Sequence, residues 1–124
     1  MPVNVALLTW NMGNKEPAGN EVSYIATELL AGSKPDLIVI ALQEAKESLA
    51  EQLAKGPLKG KYTVVAEETA TGITKITEGL STMRTEVLQK VGTGKITPLT
   101  KVSRKGIKLK GATCIAFEYG GFRF

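Results

Sequence analysis

The sequence predicts an α/β fold: a mixed β-sheet with helices on one face. Three observations point there. Leu37, Ile38, Val39, Ile40, Ala41 and Leu42 form an unbroken apolar run, the pattern of a central strand covered on both faces. Two early segments carry apolar residues at helical spacing. The second half reads as successive strands with no helix between them, closed by the two-residue turn Gly120-Gly121. The order βαβαβ followed by antiparallel strands is that of a mixed sheet with helices on one side.

The elements follow in chain order. Val3 to Thr9 is a short apolar run ended by a turn, and reads as a buried strand. Gly13 to Asn20 holds two glycines, a proline and two asparagines, which is loop chemistry. Asn20 reads as the N-cap of a helix over Glu21 to Ala31. There Val22, Ile25, Leu29 and Leu30 recur at helical spacing, and Glu21 suits the positive helix end. Gly32 and Pro35 stop it. The central strand spans Asp36 to Leu42. Ala45 to Lys55 reads as a short amphipathic helix closed by Gly56 and Pro57. Tyr62 to Ala66 is β-branched and aromatic, hence a strand. Ala70 to Gly79 reads as loop or frayed structure, and Leu80 to Gln89 as a strand. Gly92 and Gly94 break it. Ile96 to Val102 carries Pro98, which predicts an edge strand or a bulge. Thr113 to Tyr119 is a strand, Gly120-Gly121 a hairpin turn, and Phe122-Arg123-Phe124 the returning strand.

At 124 residues the chain has the length of one domain or part of one. No apolar run approaches the roughly 20 residues of a membrane span. Nor is there a basic leader before an apolar core. Cys114 is the only cysteine, which excludes an intrachain disulfide and suits a reducing, cytoplasmic setting. There is no histidine. Serine–histidine and cysteine–histidine relays are therefore excluded from this chain's own residues, as are histidine-based zinc sites. Chemistry here must run on carboxylates, amides, lysines and a hard metal ion.

The net charge of +4 is unevenly spread. From Lys75 to Lys110 nine basic residues stand against Glu78 and Glu86, an excess of seven. Such a stretch suits an anionic partner: phosphorylated inositol, a phosphoinositide membrane surface or nucleic acid. Taken alone, a charge run more often marks a solvated sheet face.

Two strand ends gather polar groups. The first strand ends in Thr9-Trp10-Asn11-Met12-Gly13-Asn14, and the central strand in Gln43-Glu44. Ligand sites in open α/β sheets form beyond the carboxyl ends of strands, and adjacent parallel strands would bring both clusters together. Glu44 is a candidate ligand for Mg²⁺, which takes one or two carboxylates plus phosphate oxygens. Asn11 could orient a phosphate or a metal-bound water. A carboxylate after a strand also caps a following helix, and Glu44 precedes one; the residues alone leave both readings open. Lys108-Leu109-Lys110-Gly111-Ala112 sets a lysine beside a small turn, which suits phosphate contact.

These segments carry a resemblance. Thr-Trp-Asn-Met-Gly-Asn at 9–14 resembles the opening motif of inositol-polyphosphate 5-phosphatases. Pro35 to Glu44, a strand running into Gln43-Glu44, resembles their second motif, in the same order and spacing. Thr82-Met83-Arg84 with Val87-Leu88 looks like a later family strand. Lys110-Gly111-Ala112 resembles the family turn written Gly-Asn-Lys-Gly-Ala, with Lys108-Leu109 replacing its Gly-Asn. The resemblance implies the endonuclease/exonuclease/phosphatase four-layer α/β sandwich, of which this chain is the first half. It implies Mg²⁺ held by Glu44 beside Asn11, with both as catalytic residues. Lys110 and Asn14 would contact the substrate, a phosphorylated inositol or phosphoinositide headgroup. The implied reaction is hydrolysis of a phosphate monoester by in-line attack of water.

The family's later motifs, which bring an aspartate base and histidines, have no counterpart here. The expectation is a single domain or half-domain cut within the catalytic fold, inactive alone, and completed by a second half or by self-association. Two other readings stay open. One is a nuclease-type member of the same superfamily; the other is a non-catalytic module binding anionic lipid or protein through the basic 75–110 stretch.

Overall fold

The computed structural model describes residues 3–31, 34–73, 80–94, 96–105 and 111–124. In chain order the elements are β1 (Val5–Asn11), α1 (Gly19–Leu29), β2 (Leu37–Gln43), α2 (Leu49–Lys55), β3 (Tyr62–Ile73), β4 (Leu80–Lys90), β5 (Thr97–Lys105), β6 (Gly111–Tyr119) and β7 (Phe122–Arg123). The strands form two sheets. One is four-stranded, in the order β1-β2-β4-β3; the other is three-stranded, β5-β6-β7. The first is mixed, as expected: β1 lies parallel to β2, and β4 antiparallel to β2.

Strand β2 explains this arrangement. Ile38, Ile40 and Leu42 point to one face and join Val22 and Ala26 of α1 with Leu49, Ala50 and Leu53 of α2. Leu37 and Val39 point to the other face, where they meet Val87 of β4 and Phe117 and Tyr119 of β6. The apolar run is continuous because both faces are covered. The second cover is the chain's own three-stranded sheet. The molecule is thus layered as helices, mixed sheet and antiparallel sheet. The sequence placed all later strands in one sheet; instead β3 and β4 join β1 and β2, while β5 to β7 stack across them. Thr85 of β4 and Thr113 of β6 bridge the two sheets by a hydroxyl hydrogen bond of 2.5 Å.

Several boundaries move for local reasons. Asn20 is not the N-cap of α1; Ala18 is, with extended backbone, and Glu21 accepts a hydrogen bond from its N–H at 2.9 Å. Helix α2 begins four residues later than expected, because Ser48 caps it by accepting from the Glu51 N–H at 3.1 Å. Ser48 with Glu51 three residues on is a capping-box spacing. The Ala70–Gly79 loop is partly strand: β3 continues to Ile73, held by β4 in a register running from Tyr62↔Lys90 to Ile73↔Leu80; residues 74–79 lie outside the described residues. At Pro98 the expectation holds on both counts. Strand β5 is an edge, and its register shifts between Pro98 and Thr100. The Gly120-Gly121 turn has both φ angles positive, at 59° and 83°, as a two-residue hairpin turn requires. The Phe124 ring finds cover by stacking on Phe117 at 5.2 Å. No helix among the described residues is long and apolar enough to cross a membrane.

Ile40 is fully buried at the centre of the helix-facing core. Ile40→Ala should destabilise the fold by about 3 kcal/mol, read as a lower urea midpoint with an unchanged slope.

Candidate functional site

The sheet brings the two polar strand ends together. In the parallel register Asn11 lies opposite Gln43. Beyond the strands the pairing continues: the Met12 N–H donates to the Gln43 carbonyl at 2.9 Å, and the Asn14 N–H to the Glu44 carbonyl at 2.7 Å. The segment after β1 is therefore zipped to the segment after β2. Met12 is buried in the helix-side core, which pins the loop from beneath. Asn11 folds back, its Oδ1 accepting from the Gly13 N–H at 3.0 Å. The sequence-predicted Asn11, Asn14 and Glu44 thus share one end of the sheet. Lys110 lies outside the described residues.

The backbone here is unusual. Gly13, Asn14 and Glu44 all have left-handed φ, at 60°, 58° and 50°. Glycine and asparagine take this conformation readily; glutamate does not, and holding it there costs on the order of 1 kcal/mol. Glu44 is fixed from both sides. Its carbonyl accepts from Asn14, and the next N–H, of Ala45, donates to the Thr82 carbonyl at 2.9 Å. The Asn14 side chain adds a second oddity: its Oδ1 is buried and has no hydrogen-bond partner. A buried acceptor left unpaired costs about 1–3 kcal/mol.

A second polar cluster lies on the same sheet, opposite the middle of β2, and the sequence reading missed it. Glu86 of β4 is fully buried. Its Oε1 accepts from the N–H groups of Leu49 and Ala50, each at 3.1 Å, and its Oε2 hydrogen-bonds the Ser48 hydroxyl. Ser48 Oγ also lies 2.9 Å from Glu67 Oε1. Glu67 reaches this face through a bulge in β3. The register slips between Val64 and Ala66, so Val65 and Ala66 both turn to the sheet–sheet core and Glu67 falls opposite Glu86. A bulge re-aims a side chain in this way.

Burial pushes the Glu86 carboxyl above its ordinary range; the Ser48 hydroxyl and the Ala50 N–H pull it back, and Glu67 raises it again. A proton on Glu86 completes the hydrogen-bond count. Glu86 then donates to Ser48, and Ser48 donates to Glu67. The signals in sequence were Ser48-Leu49-Ala50-Glu51, a capping-box pattern, and a charged residue set directly before Val87-Leu88. Nothing in the sequence marks the bulge.

Beside this cluster, a groove of about 410 Å³ runs along α2 between Lys46, Lys55, Arg84 and Glu67. Arg84 donates to the Lys46 carbonyl at 3.4 Å while its Nε is buried without a partner. Charges of both signs line the groove, which does not favour an anion.

For the cation that the resemblance implies, the donors at the strand ends are hard oxygens: the Glu44 carboxylate, the unpaired Asn14 Oδ1, and an Asn11 Oδ1 with one lone pair free. That set fits an ion that keeps several waters and takes phosphate oxygens, as Mg²⁺ does. Among the described residues no three carboxylate, thiol or imidazole groups gather as a protein-only metal cage. Compared with protein-family models, with curated proteins and with solved structures, the chain matches none.

The Glu86 proton carries a stability prediction. A carboxyl whose folded pKa is raised adds stability that is complete below its unfolded pKa, about 4.3. That stability is lost as pH rises through the folded pKa. The stability difference between wild type and Glu86→Gln should therefore shrink, then reverse in favour of the variant, as pH rises from about 4 toward neutrality. Urea titrations of both proteins across that range measure it. Glu86→Ala, which strips two helix-end N–H groups of their acceptor, should cost about 3 kcal/mol near pH 4, and less as pH rises through the folded pKa of Glu86.

Proposed function

We propose that this chain carries the magnesium side of a phosphoesterase site of the inositol-polyphosphate 5-phosphatase type, on the first half of a four-layer α/β sandwich. The observation that carries the reading is Glu44. A carboxylate is held in a left-handed backbone at the carboxyl end of the central strand, against the Asn11–Asn14 loop of its parallel neighbour. Strain of this kind persists where surrounding structure imposes it, and it clusters at functional sites. The unpaired Asn14 Oδ1 supports the same reading, since a cation or its water supplies the missing partner.

In this reading Glu44 holds Mg²⁺, and Asn11 and Asn14 orient its waters or a phosphate oxygen. Bound Mg²⁺ supplies positive charge to a phosphoryl oxygen. The substrate is a phosphorylated inositol or a phosphoinositide headgroup, and Lys110 with the basic 75–110 stretch supplies contacts to it and to a membrane surface. The setting is cytoplasmic. With no histidine in the chain, turnover requires residues from a completing half.

Mn²⁺, a paramagnetic stand-in, tests the site without turnover. It should broaden the amide and side-chain NMR signals of Asn11, Asn14 and Glu44, and Glu44→Gln should abolish the effect. Broadening centred on the α2 groove, or broadening untouched by Glu44→Gln, would overturn the assignment. Glu44→Gly should lose the effect yet raise stability by about 1 kcal/mol, because glycine relieves the left-handed strain. The isolated chain with Mg²⁺ should release no phosphate from inositol polyphosphates; clear release would refute the half-site reading.

A further inference from the structure

The molecule leaves one edge of its main sheet open. Among the described residues β1 pairs only with β2, so one side of the Val5–Asn11 backbone has no strand beside it. Edge strands are ordinarily blunted by lysine, proline, a bulge or a covering element. Strand β1, Val-Ala-Leu-Leu-Thr-Trp-Asn, has no charge, no proline and an unbroken register. Leu7, at its centre, is 74% exposed, and Tyr24, on the neighbouring helix α1, is 66% exposed. These are the two most exposed large apolar side chains among the described residues.

Two cavities, of about 760 and 640 Å³, follow this edge and share Leu8, Tyr24 and Ile25 as walls. They make one groove between β1 and α1. The only charged groups lining it are Glu28 in the first cavity and Glu21 in the second. Those carboxylates stand seven residues apart on α1, two turns along the same helix face.

Each property narrows the occupant. Free backbone donors and acceptors along a straight edge call for an extended strand. Apolar walls call for apolar side chains at alternate positions. Two carboxylates with no counter-charge call for basic residues on the partner. A second copy of this chain is disfavoured, because antiparallel pairing of two β1 edges would set Glu21 and Glu28 of one α1 against those of the other. We infer that the β1–α1 groove is a docking site for an extended partner segment, apolar at alternate positions and basic at its flanks, added as a fifth strand beside β1. This rests on the open edge and does not depend on the phosphoesterase reading.

The probe is a fluorescein-labelled peptide of alternating valine and threonine with lysines at both ends; its counterpart carries glutamates there. Anisotropy should show the lysine peptide binding the whole chain about tenfold more tightly than the glutamate peptide. Added salt should narrow the gap. Hydrogen exchange should show new protection at the Val5–Asn11 amides. The double change Glu21→Lys and Glu28→Lys should reverse the peptide preference. Leu7→Lys, at an exposed position, should weaken binding of the lysine peptide with an unchanged circular dichroism spectrum. Equal affinity for both peptides, or protection away from β1, would overturn the inference. So would a concentration-dependent dimer that protects β1 without peptide, since the occupant is then a second copy.

Discussion

Strand β2 is buried on both faces, and the rest of the molecule is arranged by that fact. A strand with leucine, isoleucine and valine on both sides needs two covers. The helices supply one and the β5–β7 sheet the other. It also needs two backbone neighbours, and these are β1 and β4. The crossover from β1 through α1 makes the first neighbour parallel, so the carboxyl ends of β1 and β2 coincide. Asn11 meets Gln43 because of that parallel pairing. Antiparallel pairing would have put Asn11 at the opposite end of the sheet from Glu44.

The conformation of Glu44 follows from what holds the chain on either side of it. Before it, β2 is locked in the sheet. After it, residues 45–48 must reach the start of α2, and two contacts set that reach. The Ala45 N–H is tied to Thr82 on β4. Ser48 is tied to Glu86, also on β4, by the cluster that caps the helix. Both anchors sit on one strand, two register steps either side of Arg84. The loop is thereby stapled to the β4 surface, and Glu44 absorbs the turn. The buried carboxyl of Glu86 serves the site through geometry, by fixing where α2 begins. Its burial is costly for an ionised group, and the Leu49 and Ala50 N–H groups with the Ser48 hydroxyl are what make the position tolerable.

How much of this was legible in the sequence depended on whether a feature is local. The central strand, the helical spacing of Val22, Ile25 and Leu29, and the Gly120-Gly121 turn are set by residues next to one another, and all appear as read. Asn11 and Glu44 were legible as strand-end polar groups, and the parallel pairing that joins them follows from the β-α-β order. Long-range features were not legible. The division of later strands between two sheets is decided by which surfaces Leu37 and Val39 must cover, and no single segment states that. The Val64–Ala66 bulge, which turns Glu67 toward Glu86, leaves no periodic trace in β3. The Ser48 cap, with Glu51 three residues on, is a local pattern too, but the sequence reading starts the helix at Ala45 without it. The reach of Lys110 to the strand ends falls outside the described residues.

Strand β1 has a double position in this architecture. Its inner edge fixes the Asn11–Glu44 junction through the ladder to β2. Its outer edge is the open one. Both edges end at the same point, since they belong to one backbone. A strand added outside β1 would lie about 4.8 Å away, so its end would stand one strand's width from Asn11. An extra strand there would therefore present side chains to the Asn11 end of β1, without any rearrangement of the layers beneath. The chain's own sheets leave that side unoccupied among the described residues. The polar ends of β1 and β2 thus face a position that an incoming strand can reach, and the fold offers no comparably short route from its other edge, where β3 is separated from β1 by two intervening strands.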